Sequence, residues 1–134
     1  MPNKTQLTDA DVESFLAAIK SDRRRQDAEE VLRLMRAVSG ERGRMWGASI
    51  VGFGVHRYPL AGGKSGEICK IGFAPRASAT VLYLGDFPGR EDGLSRLGKH
   101  KTGVGCIYLS RLEAVDTNVL RELLENSWNR PDEA

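Results

Sequence analysis

IGFAPRASATVLYL, residues 71–84, is the stretch that decides the fold. It contains two apolar runs of strand length, separated by the four residues 75–78, which begin with a proline. Proline fixes its own backbone angle and removes one hydrogen-bond donor, so it favours a turn over a continued strand. So short a link suits antiparallel neighbours, because parallel neighbours need a long crossover. The stretch therefore predicts a β-hairpin and, with it, an antiparallel sheet.

The segments on both sides of this hairpin extend the predicted sheet. Four apolar runs predict strands at residues 49–58, 67–74, 79–84 and 104–109. The glycine-rich link 59–66 also suits a hairpin, while the longer link 85–103 is expected to hold a helical turn near residues 92–97. Gly52 and Gly54, inside the first run, indicate a bulge or the close approach of another backbone or an aromatic ring.

Helical periodicity is found at both ends of the chain. Apolar residues recur at helical spacing over residues 9–20, after Thr8 as the expected N-cap, and again over residues 22–39. Gly40 is a typical C-terminal stop, and a last helix is expected to begin near Asp116. The order predicts an α+β fold with two N-terminal helices, a four-stranded, mostly antiparallel sheet and a C-terminal helix packed on one face.

Length and composition indicate a single folded unit. The 134 residues are 40% hydrophobic and 28% charged, an ordinary globular composition that suffices for one core. We expect one domain over residues 1–134, with a core at about residues 8–128 and short flexible tails. No apolar run approaches the roughly 18 residues of a membrane helix, and the first residues lack a signal peptide's apolar segment. We therefore expect a cytoplasmic protein without membrane contact.

The two cysteines, Cys69 and Cys106, lie far apart, each inside an apolar strand pattern. A structural zinc site uses about four ligands at close paired spacing, which two cysteines and two histidines at these positions do not supply. A disulfide is not expected in a reducing cytosol. We interpret both cysteines as small buried hydrophobic residues, and we expect no cofactor.

The overall charge of +2 hides an uneven distribution. Residues 1–40 are neutral, residues 41–111 carry a net charge of +6, and residues 112–134 carry −4. The opposite charges either complement each other inside the fold, or the exposed basic segment attracts phosphates or nucleic acid. The acidic last helix and the modest pI of about 8.7 make nucleic acid the less favoured partner.

A compact basic run with three glycines lies in residues 97–109, LGKHKTGVGCIYL. Backbone N–H groups around glycines can form an anion-binding nest, to which two lysines and a hydroxyl add charge and hydrogen bonds. The spacing of a P-loop is missing, and a strand follows where a P-loop has a helix. The segment is therefore either an anion site or a polar connection whose lysines protect an edge strand from aggregation.

A further cation, Arg76, follows Pro75 in the turn of the opening hairpin. Its planar guanidinium can bind an anion, and we expect this turn and the basic segment to meet at one end of the sheet. These features predict a binding domain for a small anionic ligand or a protein partner. The candidate ligand-binding residues are Trp46, Tyr58, Arg76, Lys99, His100, Lys101 and Thr102.

The aromatic residues and the histidines give only a weak indication of catalysis. Most of the aromatic set, which includes Phe53 and Tyr108, is expected in the core. His56 is expected to be a hydrogen-bonded structural residue of a strand. His56 and His100 are general-base candidates, but no nucleophile or carboxylate has a recognisable spacing to them, so we assign no catalytic residue. An enzyme stays the least favoured hypothesis, and a homodimer that buries Phe53, Trp46 and the strand edges is compatible with the sequence.

Several separated motifs resemble the YdhG-like family, the bacterial domain of unknown function numbered 1801. They are MWGASIVGFG at residues 45–54 with Tyr58, IGFAPR at 71–76, LGKHKTG at 97–103, CIYL at 106–109 and the pair Val115 and Asp116. The resemblance spans about residues 10–127. It implies a small α+β fold similar to frataxin, and it transfers no catalytic residue.

The same resemblance supplies an alternative function. One relative is regarded as a frataxin-like iron chaperone, which implies an intracellular iron-binding chaperone. Frataxin-type iron binding uses an acidic helix and a strand edge. The matching metal candidates of this chain are Asp9, Asp11 and Glu13 on the first predicted helix.

Overall fold

A computed structural model describes residues 11–47, 49–85, 87–103 and 106–130. This part of the chain contains four α-helices and eight β-strands. The helices are α1 (Val12–Ala17), α2 (Asp22–Ser39), α3 (Arg90–Leu97) and α4 (Thr117–Trp128). The strands are β1 (Arg44–Trp46), β2 (Ile50–Phe53), β3 (His56–Pro59), β4 (Ser65–Ile68), β5 (Ile71–Pro75), β6 (Thr80–Tyr83), β7 (Lys101–Gly103) and β8 (Cys106–Leu109). Single 3₁₀ turns lie at Ala61–Gly63 and Leu112–Ala114.

Polar caps set the ends of the helices. Asp11, Ser21 and Asp116 each accept a hydrogen bond from a backbone N–H of the following first turn. Gly40 ends α2 in the left-handed conformation, at φ +72°. The predictions for α2, α3 and the start of α4 are therefore confirmed. The first helix is shorter than predicted, because Asp11 caps it, and the predicted cap Thr8 lies outside the described residues.

The strands form two antiparallel sheets. Six strands pair in the order β1-β2-β5-β6-β8-β7, and β3 and β4 pair separately. The α+β class and the two predicted hairpins, β3–β4 and β5–β6, are confirmed. The predicted four-stranded sheet is wrong, because the runs at residues 49–58 and 67–74 each hold two strands.

Local geometry explains this correction. Gly54, at φ +69°, turns the chain out of the six-stranded sheet after β2, a conformation that favours glycine. The chain returns where the N–H of Lys70 donates to the carbonyl of Phe53, at 3.0 Å. The strands β1 and β7 were not predicted, because three residues are too few to show an alternating pattern.

All four helices contribute side chains to the core on one face of the six-stranded sheet. The sheet side of this core consists of Met45, Val51, Phe53, Ile71, Phe73, Leu82, Ile107 and Leu109. Because side chains alternate along a strand, the residues between these point to the opposite face, which we call the outer face. In the described ranges, no helix is both long enough and apolar enough to cross a membrane.

The outer face has two ends of different character. At the β1-β2-β5 end, Trp46, Ile50, Cys69 and Ala74 form a buried cluster, against which Val55 and Ile68 at the base of the β3–β4 hairpin pack. We call this the covered end. At the β6-β8-β7 end, Lys101 and Tyr108 are exposed and Cys106 is half-buried. We call this the open end.

Candidate anion-binding cleft

A cleft of about 290 Å³ lies at the open end of the outer face. Three parts of the chain form it: the β5–β6 turn, the segment that enters β7, and the last residues of β8. Its lining residues are Ser78, Ala79, Lys99, His100, Lys101, Tyr108 and Ser110. We call it the basic cleft.

Strand pairing places the two sides of the basic cleft. Lys101 of β7 lies directly opposite Tyr108 of β8, so the two side chains leave the same face with their Cβ atoms about 5 Å apart. Ser110 follows two residues later, on the side of Tyr108. Ala79 immediately precedes β6, which is the other neighbour of β8.

Backbone contacts to the segment before α4 hold Lys99 in place. Gly98 forms an isolated β-bridge with Val115, and the N–H of Lys99 donates to the carbonyl of Ala114 at 3.2 Å. A Cβ atom on Gly98 would lie 2.6 Å from that same carbonyl oxygen, so only glycine permits this approach. The first glycine of the LGKHKTG motif, Gly98, thus has a packing role that brings the basic residues to the cleft.

The imidazole of His100 has a defined hydrogen bond. Its Nδ1 atom lies 2.7 Å from the carbonyl oxygen of Gly98. Because a carbonyl oxygen only accepts, Nδ1 carries the proton and donates it. The Nε2 atom is then the one that a ligand can engage.

The lining of the basic cleft is basic without a neutralising acid. None of the described lining residues carries a carboxylate, and Lys99 and Lys101 form no salt bridge with any described residue. Arg24 at the start of α2 adds a further charge behind it, because its Nη1 atom donates to the carbonyl of Ser110 at 3.3 Å and to the hydroxyl of Thr80 at 3.4 Å.

The structure divides the predicted basic residues. Lys99, His100 and Lys101 line the cleft, while Thr102 is exposed in β7 outside the lining. The predicted meeting of the turn with the basic segment occurs through Ser78 and Ala79. The guanidinium of Arg76 instead donates to the hydroxyls of Ser49, at 3.1 Å, and Tyr83, at 3.4 Å.

The two predicted aromatic site residues lie away from the cleft. Trp46 is 3% exposed and belongs to the buried cluster of the covered end. Tyr58 is in the separate β3–β4 hairpin, where its ring lies over Gly66: a Cβ atom there would lie 2.6 Å from Cζ of the tyrosine.

Sequence reasoning did not place Tyr108 at the site. Tyr108 was expected with the core aromatics, but it is 39% exposed and lines the cleft. The signal was present in the alternation of β8, because Ile107 and Leu109 are buried in the core and Tyr108 between them must point to the other face. Ser78, Ala79 and Ser110 carried no comparable signal, since they lie outside the strands.

The other candidate chemical groups are engaged in the fold. His56 is 3% exposed in β3. Burial raises the pKa of the Cys69 thiol from its ordinary value of 9.0 to about 12, and burial also raises the pKa of Cys106. Neither thiol is a ready thiolate at neutral pH.

The acidic residues of the iron alternative have structural partners. Asp11 caps α1, and hydrogen bonds from the Ser14 hydroxyl and the Glu13 N–H hold its pKa below the ordinary 3.8. Glu13 forms an ion pair with Arg36 at 2.5 Å, and Asp9 lies outside the described residues. Within the described ranges, no three His, Cys, Asp or Glu residues are grouped as a metal site would require. Iron binding stays a prediction.

No protein-family model, curated protein or solved structure matches this chain. The resemblance to the YdhG-like family, and the frataxin-like fold that it implies, therefore stay predictions. What the cleft can bind follows from its own residues.

Proposed function

We propose that this chain is a non-catalytic binding domain whose basic cleft holds a small anionic ligand. One observation carries the proposal: two lysines and a histidine line one cleft, and none of the described lining residues is acidic. Lys99 and Lys101 are both exposed, and like charges so close repel each other. An anion bound between them would remove that repulsion and add charge-assisted hydrogen bonds.

Several arginines elsewhere on the surface differ from the two lysines of the basic cleft, because they are paired with acidic residues. Arg25, Arg33 and Arg96 each form an ion pair with an acidic residue of the same helix. Arg96 pairs with Asp92 and also with Glu122 of α4. Several arginines are thus neutralised by neighbouring acids, whereas Lys99 and Lys101 form no ion pair with a described residue and share one cleft, where a ligand can bind both.

The other lining groups suit oxyanion binding better than catalysis. The hydroxyls of Ser78 and Ser110 can donate to phosphate or carboxylate oxygens. Acid–base catalysis commonly pairs a histidine with a carboxylate or a nucleophile. The described lining residues include no carboxylate, and among the described residues no hydrogen bond joins His100 to the hydroxyl of Ser78 or Ser110, as a catalytic pair would have.

Thermal unfolding in the presence of inorganic phosphate tests the proposal. At a concentration ten times its Kd, phosphate stabilises the protein by about 1.4 kcal/mol, which raises Tm by about 3–6 °C for a domain of this size. The double variant Lys99→Ala, Lys101→Ala should lose this shift.

The matched control is the double variant Lys20→Ala, Lys64→Ala, which removes the same charge from exposed positions away from the cleft. Phosphate also stabilises proteins through surface exclusion, an effect that all three proteins share. Sodium chloride at equal ionic strength sets the baseline. Equal phosphate shifts in the wild type and both variants would refute the proposal.

A further inference from the structure

We infer that the ligand of the basic cleft joins a phosphate to a planar aromatic ring, as a nucleoside monophosphate does. This inference rests on the proposed function and adds the ring. It depends on Tyr108, on the size of the cleft and on the strand register that pairs the tyrosine with Lys101.

Tyr108 presents its ring on the surface. This residue is 39% exposed. Among the described residues, the only other exposed large hydrophobic residue is Leu60, in the turn of the β3–β4 hairpin. Its neighbours in β8, Ile107 and Leu109, are buried in the core. An exposed aromatic side chain on an inner strand, beside two lysines, is the arrangement that stacks a nucleobase.

One side of the Tyr108 ring is already supported. A Cβ atom on Gly103 would lie 3.1 Å from both Cε2 and Oη of the tyrosine, so the ring lies over this glycine of β7. No lysine covers the ring, because the cation–ring contact found in the described part of the chain joins Lys70 to Trp128. The ring therefore rests on the backbone of β7 and remains available to a ligand.

The cleft is larger than a phosphate ion requires. Pockets that enclose small organic molecules begin at about 300 Å³. An inorganic phosphate would fill a minor part of this volume, and a nucleoside monophosphate would fill most of it.

The positions of charge and ring match the two ends of such a ligand. Lys101 lies opposite Tyr108 in the β-ladder, and Lys99 precedes it by two residues in the segment that enters the strand. A base stacked on Tyr108 would place a 5′-phosphate toward the lysines. Ser110 lies two residues beyond Tyr108, on the side away from Gly103, so its hydroxyl and that of Ser78 can donate to the phosphate beside the lysines.

Isothermal titration with AMP, ribose 5-phosphate and adenosine tests the inference. Stacking on an aromatic side chain commonly contributes a tenfold or larger gain in affinity, so we expect AMP to bind the wild type at least about tenfold more tightly than ribose 5-phosphate. Tyr108→Leu should bring AMP to the affinity of ribose 5-phosphate. The matched control Tyr108→Phe keeps the ring and should keep the preference.

The outcomes separate the two proposals. If AMP and ribose 5-phosphate bind the wild type with equal affinity, the ligand needs no aromatic ring and the inference is wrong, while the proposed anion site is still supported. Binding of adenosine alone, or of no probe, refutes the anion site and the inference with it. A preference for AMP that survives Tyr108→Leu overturns the role of Tyr108, and hexa-adenylate binding more than tenfold tighter than AMP overturns a free nucleotide as the ligand.

A measurement on the wild type covers the case in which Tyr108→Leu does not fold. AMP should shift the ring-proton resonances of Tyr108, and ribose 5-phosphate should leave them nearly unchanged. The same resonances shifted equally by both probes, or by neither, would overturn the inference.

Discussion

The covered end and the open end of the outer face belong to the same sheet and follow the same alternation, yet they differ in chemistry. At the covered end, Trp46 and Cys69 are 3% and 2% exposed beneath the base of the β3–β4 hairpin. At the open end, Tyr108 and Lys101 are exposed. The hairpin packs against the covered end, so an aromatic residue becomes core there and surface at the other end.

Glycines are used at both ends for different purposes. Gly52 pairs directly with Gly72 across β2 and β5, and their missing side chains leave the space that Trp46 and Cys69 fill. Gly103 leaves space for the Tyr108 ring, which solvent still reaches. Whether a side chain of the outer face is buried therefore depends on the β3–β4 hairpin that packs over it, because the strands follow the same alternation at both ends.

The largest expected difference between the two ends is in thiol reactivity. Burial raises the pKa of Cys69 to about 12, and the thiolate fraction falls tenfold for each unit between the pH and the pKa. Burial also raises the pKa of Cys106, but this thiol is only half-buried, so at pH 8 iodoacetamide should modify Cys106 faster than Cys69, as measured by peptide mass spectrometry. Equal rates are expected in urea. Equal rates in the native protein would show that the reagent reaches Cys69 as readily as Cys106, so that the covered end is not shielded from solvent.

The same thiol gives the pH dependence of stability. In the unfolded chain Cys69 ionises near its ordinary pKa of 9.0, whereas the folded protein keeps it protonated up to about pH 12. The stability that the buried, protonated thiol contributes to the folded state is therefore fully present below pH 9 and is lost as the pH rises toward 12. The variant Cys69→Ala should show a smaller fall in Tm between pH 8 and pH 10.5 than the wild type, and an identical fall would contradict this assignment.

Adding one methyl group at each end gives the next largest contrast. In Gly52→Ala the new Cβ atom would lie 2.5 Å from Cβ of Cys69 and from Cδ1 of Trp46, both tightly packed. We expect a loss of about 2–3 kcal/mol in the free energy of unfolding, measured in urea. Gly103→Ala meets only the far end of an exposed ring and should change it by less than about 0.5 kcal/mol. Similar losses at both positions would break the comparison.

Trp46→Phe sharpens the distinction between core and site. Nε1 of Trp46 is buried and has no hydrogen-bond partner among the described residues, so the substitution removes none of their hydrogen bonds and leaves only a cavity. We expect a loss of about 1–2 kcal/mol in stability and an unchanged phosphate-dependent shift in Tm. If the phosphate shift disappeared while the fold persisted, Trp46 would belong to the site after all.

Arg76→Ala should have the smallest effect. Its guanidinium donates to two hydroxyls on the exposed surface, so its loss should lower stability by no more than about 1 kcal/mol. Titration with phosphate should show an affinity within about twofold of the wild type, because Arg76 is not part of the lining. A loss as large as that of the Lys99 and Lys101 double variant would place Arg76 in the site.

Local patterns predicted much of the fold. The extent of α2 and its stop at Gly40 follow from residues within a few positions of each helix end. The two hairpins follow from turn residues, and the basic segment that supplies Lys99, His100 and Lys101 is visible as a charge run. The division of two predicted strands and the short strands β1 and β7 were not predicted, because the kink at Gly54 and the three-residue strands depend on contacts with distant segments.

The sequence by itself determined which residues could bind an anion and which face of each strand could meet the core. Charge and alternation are properties of neighbouring residues, and they hold in any fold that forms these strands. Only the tertiary structure decided that Tyr108 lies beside the lysines, that Trp46 is buried and that Arg76 bonds to Ser49 and Tyr83. The physical reason is long-range packing: the β3–β4 hairpin packs against one end of the outer face, and strand order brings β7 beside β8 at the other.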